Sequence, residues 1–195
     1  MAYPISLEDM TPQRRDAARN WEHILTVARE LVDEGTPLQL NDVARRAGLG
    51  VGTVYRHFPT TEALLETVAT PCLEALAGCG EQGLTHDDPW TAFADFLTKV
   101  VESQVSDPAL VKVAATAHDV LPRTTELKAQ ILDTGAELLA RARDAGAVRP
   151  DVDDADLVPL MCGIAYATYV HSAGPADRLP TARRYLDTLL RGLHT

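Results

Sequence analysis

The chain has 195 residues, 46% of them apolar and only 5% aromatic, with a formal net charge of -10 at pH 7. That length allows one or two domains, and Ala and Leu recurring near a 3.6-residue period favour an all-helical fold. Cys72, Cys79 and Cys162 lack C-x-x-C spacing, which argues against a disulfide framework or a zinc site and makes them reduced, small core residues.

The opening stretch, residues 1–15, lacks the basic and apolar regions of a secretory signal, so a cytoplasmic location is expected. The charge is unevenly placed: residues 1–60 hold seven arginines against eight acidic residues, net -1, and the remainder carries -9. An acidic total therefore does not exclude a DNA partner, because phosphate affinity follows local cations.

Thr11 before Pro12 predicts a helix start, and Trp21, Ile24, Leu25, Ala28, Leu31 and Val32 repeat at helical spacing up to Gly35 and Pro37. A short helix is predicted from about Leu40 to Ala47, with Leu40, Val43, Ala44 and Ala47 inward, Asn41, Arg45 and Arg46 outward, and Gly48 as its stop. A second short helix runs from about Val51 to Phe58. On a helical wheel Val51, Val54 and Phe58 share a packing side, Thr53, Arg56 and His57 face away, and Gly52 and Tyr55 lie on the flanks. Ala44, Gly48 and Val54 at these spacings suit a helix-turn-helix whose second helix reads the major groove of DNA. A bland helical hairpin fits the same spacing.

The run LQLNDVARRAGLGVGTVYRHFPTTEALL resembles the N-terminal DNA-binding domain of the TetR family of transcriptional regulators. The resemblance rests on Val43-Ala44, Ala47-Gly48, Thr53, the Tyr55-x-His57-Phe58 group, and the helix start at Thr60 with Glu62, Ala63, Leu64 and Leu65. It implies that Tyr55 binds backbone phosphate, that Thr53, Arg56 and His57 face bases or phosphates, and that Asn41 reaches the groove. The DNA-facing set is completed by Gly50, Val51, Gly52 and Thr61. Gly50 stands where Ser or Thr often caps the recognition helix of the family, and Thr61 where Lys often binds phosphate, so phosphate anchoring at these two positions is weaker. The expected organisation is all-α: a three-helix DNA-binding head over residues 1–60 and a helical ligand-binding and dimerisation body over 61–195.

Thr60 caps a fourth helix whose Leu64, Leu65, Val68, Cys72, Leu73 and Leu76 stay in phase across Pro71, which predicts a kink and not a break. The stretch GCGEQGLTHDD, residues 78–88, reads as a loop. Asp88-Pro89 opens a helix carrying Trp90, Phe93, Phe96, Leu97, Val100 and Val101, and Asp107-Pro108 opens another that ends near Leu121-Pro122. Further helices are predicted over about Thr125 to Ala145, Asp154 to Ala173 and Thr181 to Leu193. The charge-free segment Leu157 to Ala176 is about bilayer length. Its Pro159, Gly163, His171, Ser172, Gly174 and Pro175 instead indicate a helix buried on several sides, and no membrane partner is expected.

Leu160 and Ile164 in that helix, with Leu186, Leu189, Leu190 and Leu193 in the last one, leave apolar surface for a partner. The resemblance implies that these two helices form a four-helix bundle in a homodimer, whose two heads read a palindromic operator. Trp90, Phe93, His118, Met161, Tyr166 and Tyr169 are candidate walls for a small, largely apolar effector, with core packing as the plainer account. Tyr166 and Tyr169 stand out because a buried phenol needs a partner. The run Asp151, Asp153, Asp154, Asp156 lacks the Gly and Glu of a calcium loop and reads as helix capping, and no cofactor or metal is expected. Together these features describe a ligand-responsive transcriptional regulator, a repressor released by its effector. The competing readings are a helical enzyme using His118 and Asp119, and a helical adaptor that binds protein.

Overall fold

The computed structural model describes residues 12–195, so the Thr11 cap and residues 1–11 of the stretch read for a signal lie outside the described residues. Among the described residues nine helices follow one another: α1 Pro12–Asp33, α2 Leu40–Ala47, α3 Val51–His57, α4 Thr61–Leu84, α5 Pro89–Ser106, α6 Pro108–Ala114, α7 Pro122–Asp144, α8 Asp154–His171 and α9 Pro175–Leu193. No strand forms among them, and an isolated antiparallel bridge joins Val148 to His194. The fold is all-α. The chain divides into two compact units, the first ending at Val68 and the second running from Ala69 to Thr195, with α4 beginning in one and continuing into the other.

In the first unit the core is Ile24, Val27, Ala28, Leu31 and Val32 of α1, Leu40, Val43 and Ala44 of α2, Val54 of α3, Phe58, and Ala63, Leu64 and Val68 of α4. Trp21 stacks on Phe58 with ring centroids 6.3 Å apart, and the Arg29 guanidinium donates to the Val68 carbonyl. Thr60 caps α4 by accepting from the Ala63 N–H at 3.1 Å. The helix passes through Pro71 unbroken.

In the second unit α5 is central and packs on α7, α8 and α9. Its Phe93, Phe96, Leu97 and Val101 meet Leu138, Leu139 and Ala142 of α7, Leu157 and Met161 of α8, and Ala182, Leu186 and Leu193 of α9 in one buried cluster. Asp88 and Asp107 cap α5 and α6, and Asp153 with Asp156 forms a capping box at α8, so the acidic run does cap a helix.

Four boundaries differ from the pattern read in the sequence. Residues 78–84 are helix rather than loop, because Gly80 and Gly83 serve close packing instead of a turn. A methyl group on Gly80 would stand 2.6 Å from Thr134 Cγ2 and 3.2 Å from Phe96 Cε2. Arg141 then closes the end of α4 by donating to the carbonyls of Gly83, Leu84 and His86 at 3.2, 2.6 and 2.9 Å, which are acceptors that a helix terminus leaves unmatched. Helix α6 stops at Ala114, well short of Leu121, because Lys128 Nζ and the Thr116 hydroxyl take the Val113 carbonyl at 2.8 and 2.7 Å. Leu121 is held extended before Pro122 (φ -99, ψ 126), and Pro122 itself starts α7 earlier than Thr125. Helix α9 begins at Pro175 rather than Thr181, where Asp177 accepts from the Ala173 N–H at 3.0 Å and the Thr181 hydroxyl at 3.3 Å. Of the three free cysteines, Cys72 and Cys79 are half-buried, while Cys162 is exposed and not a core residue.

Candidate nucleic-acid interface and internal cavity

Gly48 adopts φ 65, ψ 25, the left-handed region that favours glycine. In this conformation the Leu49 N–H reaches the Ala44 carbonyl at 2.9 Å and the Gly48 N–H reaches that of Arg45 at 3.3 Å, a Schellman closure that turns the chain sharply into α3. Gly50 is the N-cap of α3, and its carbonyl accepts from the N–H groups of Thr53 and Val54. Val54 and the C-cap Phe58 anchor α3 to the core.

The opposite side of this unit presents the candidate DNA-facing residues. Asn41, Gly50, Gly52, Tyr55 and Arg56 are exposed, and Thr53, His57 and Thr61 are half-buried. Tyr55 keeps 47% of its surface open. No atom lies within 4 Å of where a Gly52 side chain would begin, so the helix surface is open there. Val51, expected to pack beside Val54, is 46% exposed instead. As the first residue of a short helix it precedes the turn that is anchored, and it belongs with the outward set.

The outward arginines divide into two roles. Arg46 donates to both Glu34 oxygens, at 2.7 and 2.5 Å, and lies 3.5 Å from Glu30, which pins α2 to α1. This hydrogen bonding holds the Glu34 carboxyl below its ordinary range and raises the Arg46 guanidinium further. Arg45 pairs with Asp42 at 2.8 Å, and Arg56 Nε donates to the Gly52 carbonyl at 3.1 Å, so it rests along its own helix.

The second unit contains a cavity of about 500 Å³, within the usual range for small-molecule sites. Leu73 and Leu76 of α4, Phe96, Leu97, Val100 and Gln104 of α5, Lys128, Ile131 and Ala136 of α7, and Leu157 and Met161 of α8 contribute to its wall. Of the six candidate effector residues only Met161 lines it. Phe93 is fully buried in the core, and Trp90 packs edge-on to His194 with centroids 4.3 Å apart. Tyr169 lies under the Arg178 guanidinium, 4.4 Å from its ring centroid. His118 is exposed in the α6–α7 connection, and Tyr166 is 72% exposed on the far side of α8. Beside His118, Asp119 is bound by Lys128 at 2.5 Å and accepts from Thr125 at 3.3 Å, a structural tie and not an available carboxylate.

The sequence reading missed Gln104, and its signal was present. Phe93, Leu97, Val100 and Gln104 fall on one face of α5 at spacings of four, three and four residues, so an uncharged polar side chain occupies an inward position.

Along α8, Leu157, Met161, Ala165 and Thr168 are buried while Val158, Tyr166 and Val170 are exposed. Pro159, Leu160, Gly163, Ile164 and Ala167 form a shallow apolar groove with Tyr185 of α9. Of the six candidate interface leucines and isoleucine, Leu160, Ile164, Leu189 and Leu190 are half-buried. Leu186 and Leu193 are buried in the cluster of their own unit and offer no partner surface.

A helix-turn-helix head followed by a helical unit with a cavity defines the class: a helix-turn-helix transcriptional regulator. Residues 24–68 match the sequence family described as bacterial regulatory proteins, tetR family, and residues 88–195 match the SbtR-like transcriptional regulator C-terminal domain. A TetR transcription regulatory protein from Mycobacterium vanbaalenii is 30% identical, covering 94% of this chain and all of that one, with a TM-score of 0.55. A TetR regulator from Streptomyces coelicolor is 28% identical over 89% of this chain and 98% of that one, TM-score 0.57. An HTH-type transcriptional regulator from Staphylococcus aureus shares 36% identity over 59 residues, 29% of this chain and 31% of that protein, so the match spans about a third of its length. The chain belongs to the TetR family of transcriptional regulators. No helix among the described residues is long and apolar enough to cross a membrane.

Proposed function

We propose that this regulator is a cytoplasmic repressor that binds a palindromic operator as a homodimer and is released by a small, largely apolar effector, and that it is not an enzyme. The observation that carries the reading is one helix serving both tasks. Helix α4 supplies Ala63, Leu64 and Val68 to the core of the first unit and Leu73 and Leu76 to the cavity wall of the second. A ligand that repositions Leu73 and Leu76 therefore acts on the helix that carries the head.

In this reading residues 1–60 recognise DNA, with Tyr55 on phosphate, Thr53, Arg56 and His57 on bases or phosphate, and Asn41, Gly50, Val51, Gly52 and Thr61 along the groove. Residues 61–195 hold the effector and the partner subunit. The exposed Tyr166 and Val170 and the groove around Gly163 favour α8 and α9 as the dimer face, because large apolar side chains left open mark interaction surfaces. The test is selection of duplexes from a random pool by the full-length protein, followed by affinity measurement across salt concentration. A palindromic consensus and a linear fall of log affinity with log salt are expected; enrichment of no sequence, or salt-independent binding, overturns the reading.

A further inference from the structure

We infer that the cavity of the second unit takes a neutral, apolar molecule carrying one hydroxyl group, and that Gln104 is the residue that reads the hydroxyl. The inference rests on the effector reading above and adds the chemistry of the ligand.

Gln104 reaches the cavity from α5, and its side-chain oxygen is buried without a hydrogen-bond partner. A buried acceptor left unpaired is costly, and native structures seldom keep one without a reason. Among the described residues two other buried side-chain oxygens are unpaired, those of Thr124 and Thr168, and neither residue lines the cavity. The remaining wall near Gln104 is hydrocarbon: Leu97, Val100 and Leu110 line the same space. Gln104 is thus a buried, unpaired acceptor in a largely apolar stretch of the wall, while the acids that border the cavity are exposed, and it suits one donor on an apolar ligand.

The charges around the cavity decide against an ion. Lys128 is the cation of the wall, and it is committed to Asp119 at 2.5 Å and to the Val113 carbonyl at 2.8 Å. Asp133 and Asp154 also border the cavity, and both are exposed. A carboxylate ligand would lose its hydration, would meet no uncommitted cation in the wall, and would lie near two acidic side chains. An ammonium would find its partners only at those solvated acids, where attraction is screened. A neutral hydroxyl donates a hydrogen bond to Gln104 Oε1 and requires no counter-charge.

The test uses one alkyl chain with four heads. Full-length protein is titrated by calorimetry with n-decanol, decyl methyl ether, decanoate and decylammonium, for wild type, Gln104→Leu and the cavity-filling Ala136→Phe. Decanol is expected to bind wild type about tenfold more tightly than the ether, the yield of one net hydrogen bond. That preference should disappear in Gln104→Leu through loss of decanol affinity, with the ether unchanged or tighter, and Ala136→Phe should weaken both. Equal binding of decanol and ether by wild type, preference for decanoate or decylammonium, or no binding of any probe overturns the inference. Those failures leave operator selection untouched. Conversely, a protein that selects no operator yet shows the Gln104-dependent preference refutes the regulatory reading and keeps this one.

Discussion

Two glycines two residues apart in α4 should respond oppositely to the same substitution. Both lie in a stretch that the structure makes helical, where alanine is preferred over glycine by about 0.8 to 1 kcal/mol. Nothing lies within 4 Å of a methyl group built on Gly78, so Gly78→Ala should realise that gain and stabilise the protein by about 1 kcal/mol. At Gly80 the new methyl would stand 2.6 Å from Thr134 Cγ2 and 3.2 Å from Phe96, the first about 1 Å inside ordinary carbon contact. Thr134 and Phe96 are themselves buried and have little room to retreat. Overpacking of this kind costs about 1 to 3 kcal/mol, which outweighs the helical gain and leaves Gly80→Ala destabilised by about 1 kcal/mol.

Urea unfolding at a fixed protein concentration measures both changes, the concentration being held because association contributes to apparent stability. The two variants should differ by about 2 kcal/mol, or roughly 4 to 8 °C in Tm for a chain of this size. Thr134→Ser removes the obstructing Cγ2, so in a double-mutant cycle it should recover much of the Gly80→Ala loss. Equal stabilisation by both alanines would refute the close approach of α4 and α7. Destabilisation by Gly78→Ala would refute the helical assignment of the stretch itself.

Tyr55→Phe and His57→Ala should each weaken operator binding by about 1 to 3 kcal/mol while leaving the oligomeric state unchanged, as read by fluorescence anisotropy and sedimentation. Glu34→Gln tests the pH response of the first unit. The Glu34 carboxyl is held below its ordinary value of 4.5 by Arg46, so its contribution is fully present above that value and is lost as pH falls through the lowered one. Wild type should therefore exceed Glu34→Gln in stability at neutral pH, and the gap should close at acid pH; a gap that widens on acidification contradicts the pairing. Tyr166→Glu leaves the fold of the subunit intact, since the ring is mostly exposed, and should yield folded monomers in sedimentation velocity because a charge placed on the proposed dimer face would have no partner there.

The head was legible because its information is local. A stop at Gly48, an apolar pair at Val54 and Phe58, and a cap at Thr60 are each fixed by residues within a few positions, and all three occur in the structure. The body was less legible because its decisive contacts are distant in sequence. The glycines of residues 78–83 look like turn chemistry until Thr134 and Phe96 are seen against Gly80. The end of α6 depends on Lys128, which lies 15 residues beyond the carbonyl it binds. The cavity wall is less legible for a related reason: residue type alone points to Trp90, Phe93, Tyr166 and Tyr169 as readily as to Met161, whereas the packing sends Phe93 to the core and Tyr166 outward and leaves Met161 on the wall. Residue type sets what a side chain could do, and only the helix phase and the neighbours decide where it does it.

The distribution of cations bears on how a modest signal in the body could control DNA binding. Arg46 is committed to Glu34 between α1 and α2, Arg45 pairs with Asp42 and Arg56 lies along its own helix, and the positions at Gly50 and Thr61 carry no charge, so the arginines around α2 and α3 are already engaged within the head. The whole chain is strongly acidic at -10, which adds no long-range attraction to DNA. One head alone should therefore bind weakly, and useful affinity should come from two heads acting on one duplex, the second binding at the high effective concentration created by the first. Such avidity depends on spacing, because half-sites lie at fixed separations along the helix. An effector then need not deform the recognition surface around Tyr55 at all. It has only to favour a conformation of α4 that spoils simultaneous engagement, and by linkage the proposed dimer should then bind that effector more weakly on DNA by the same factor.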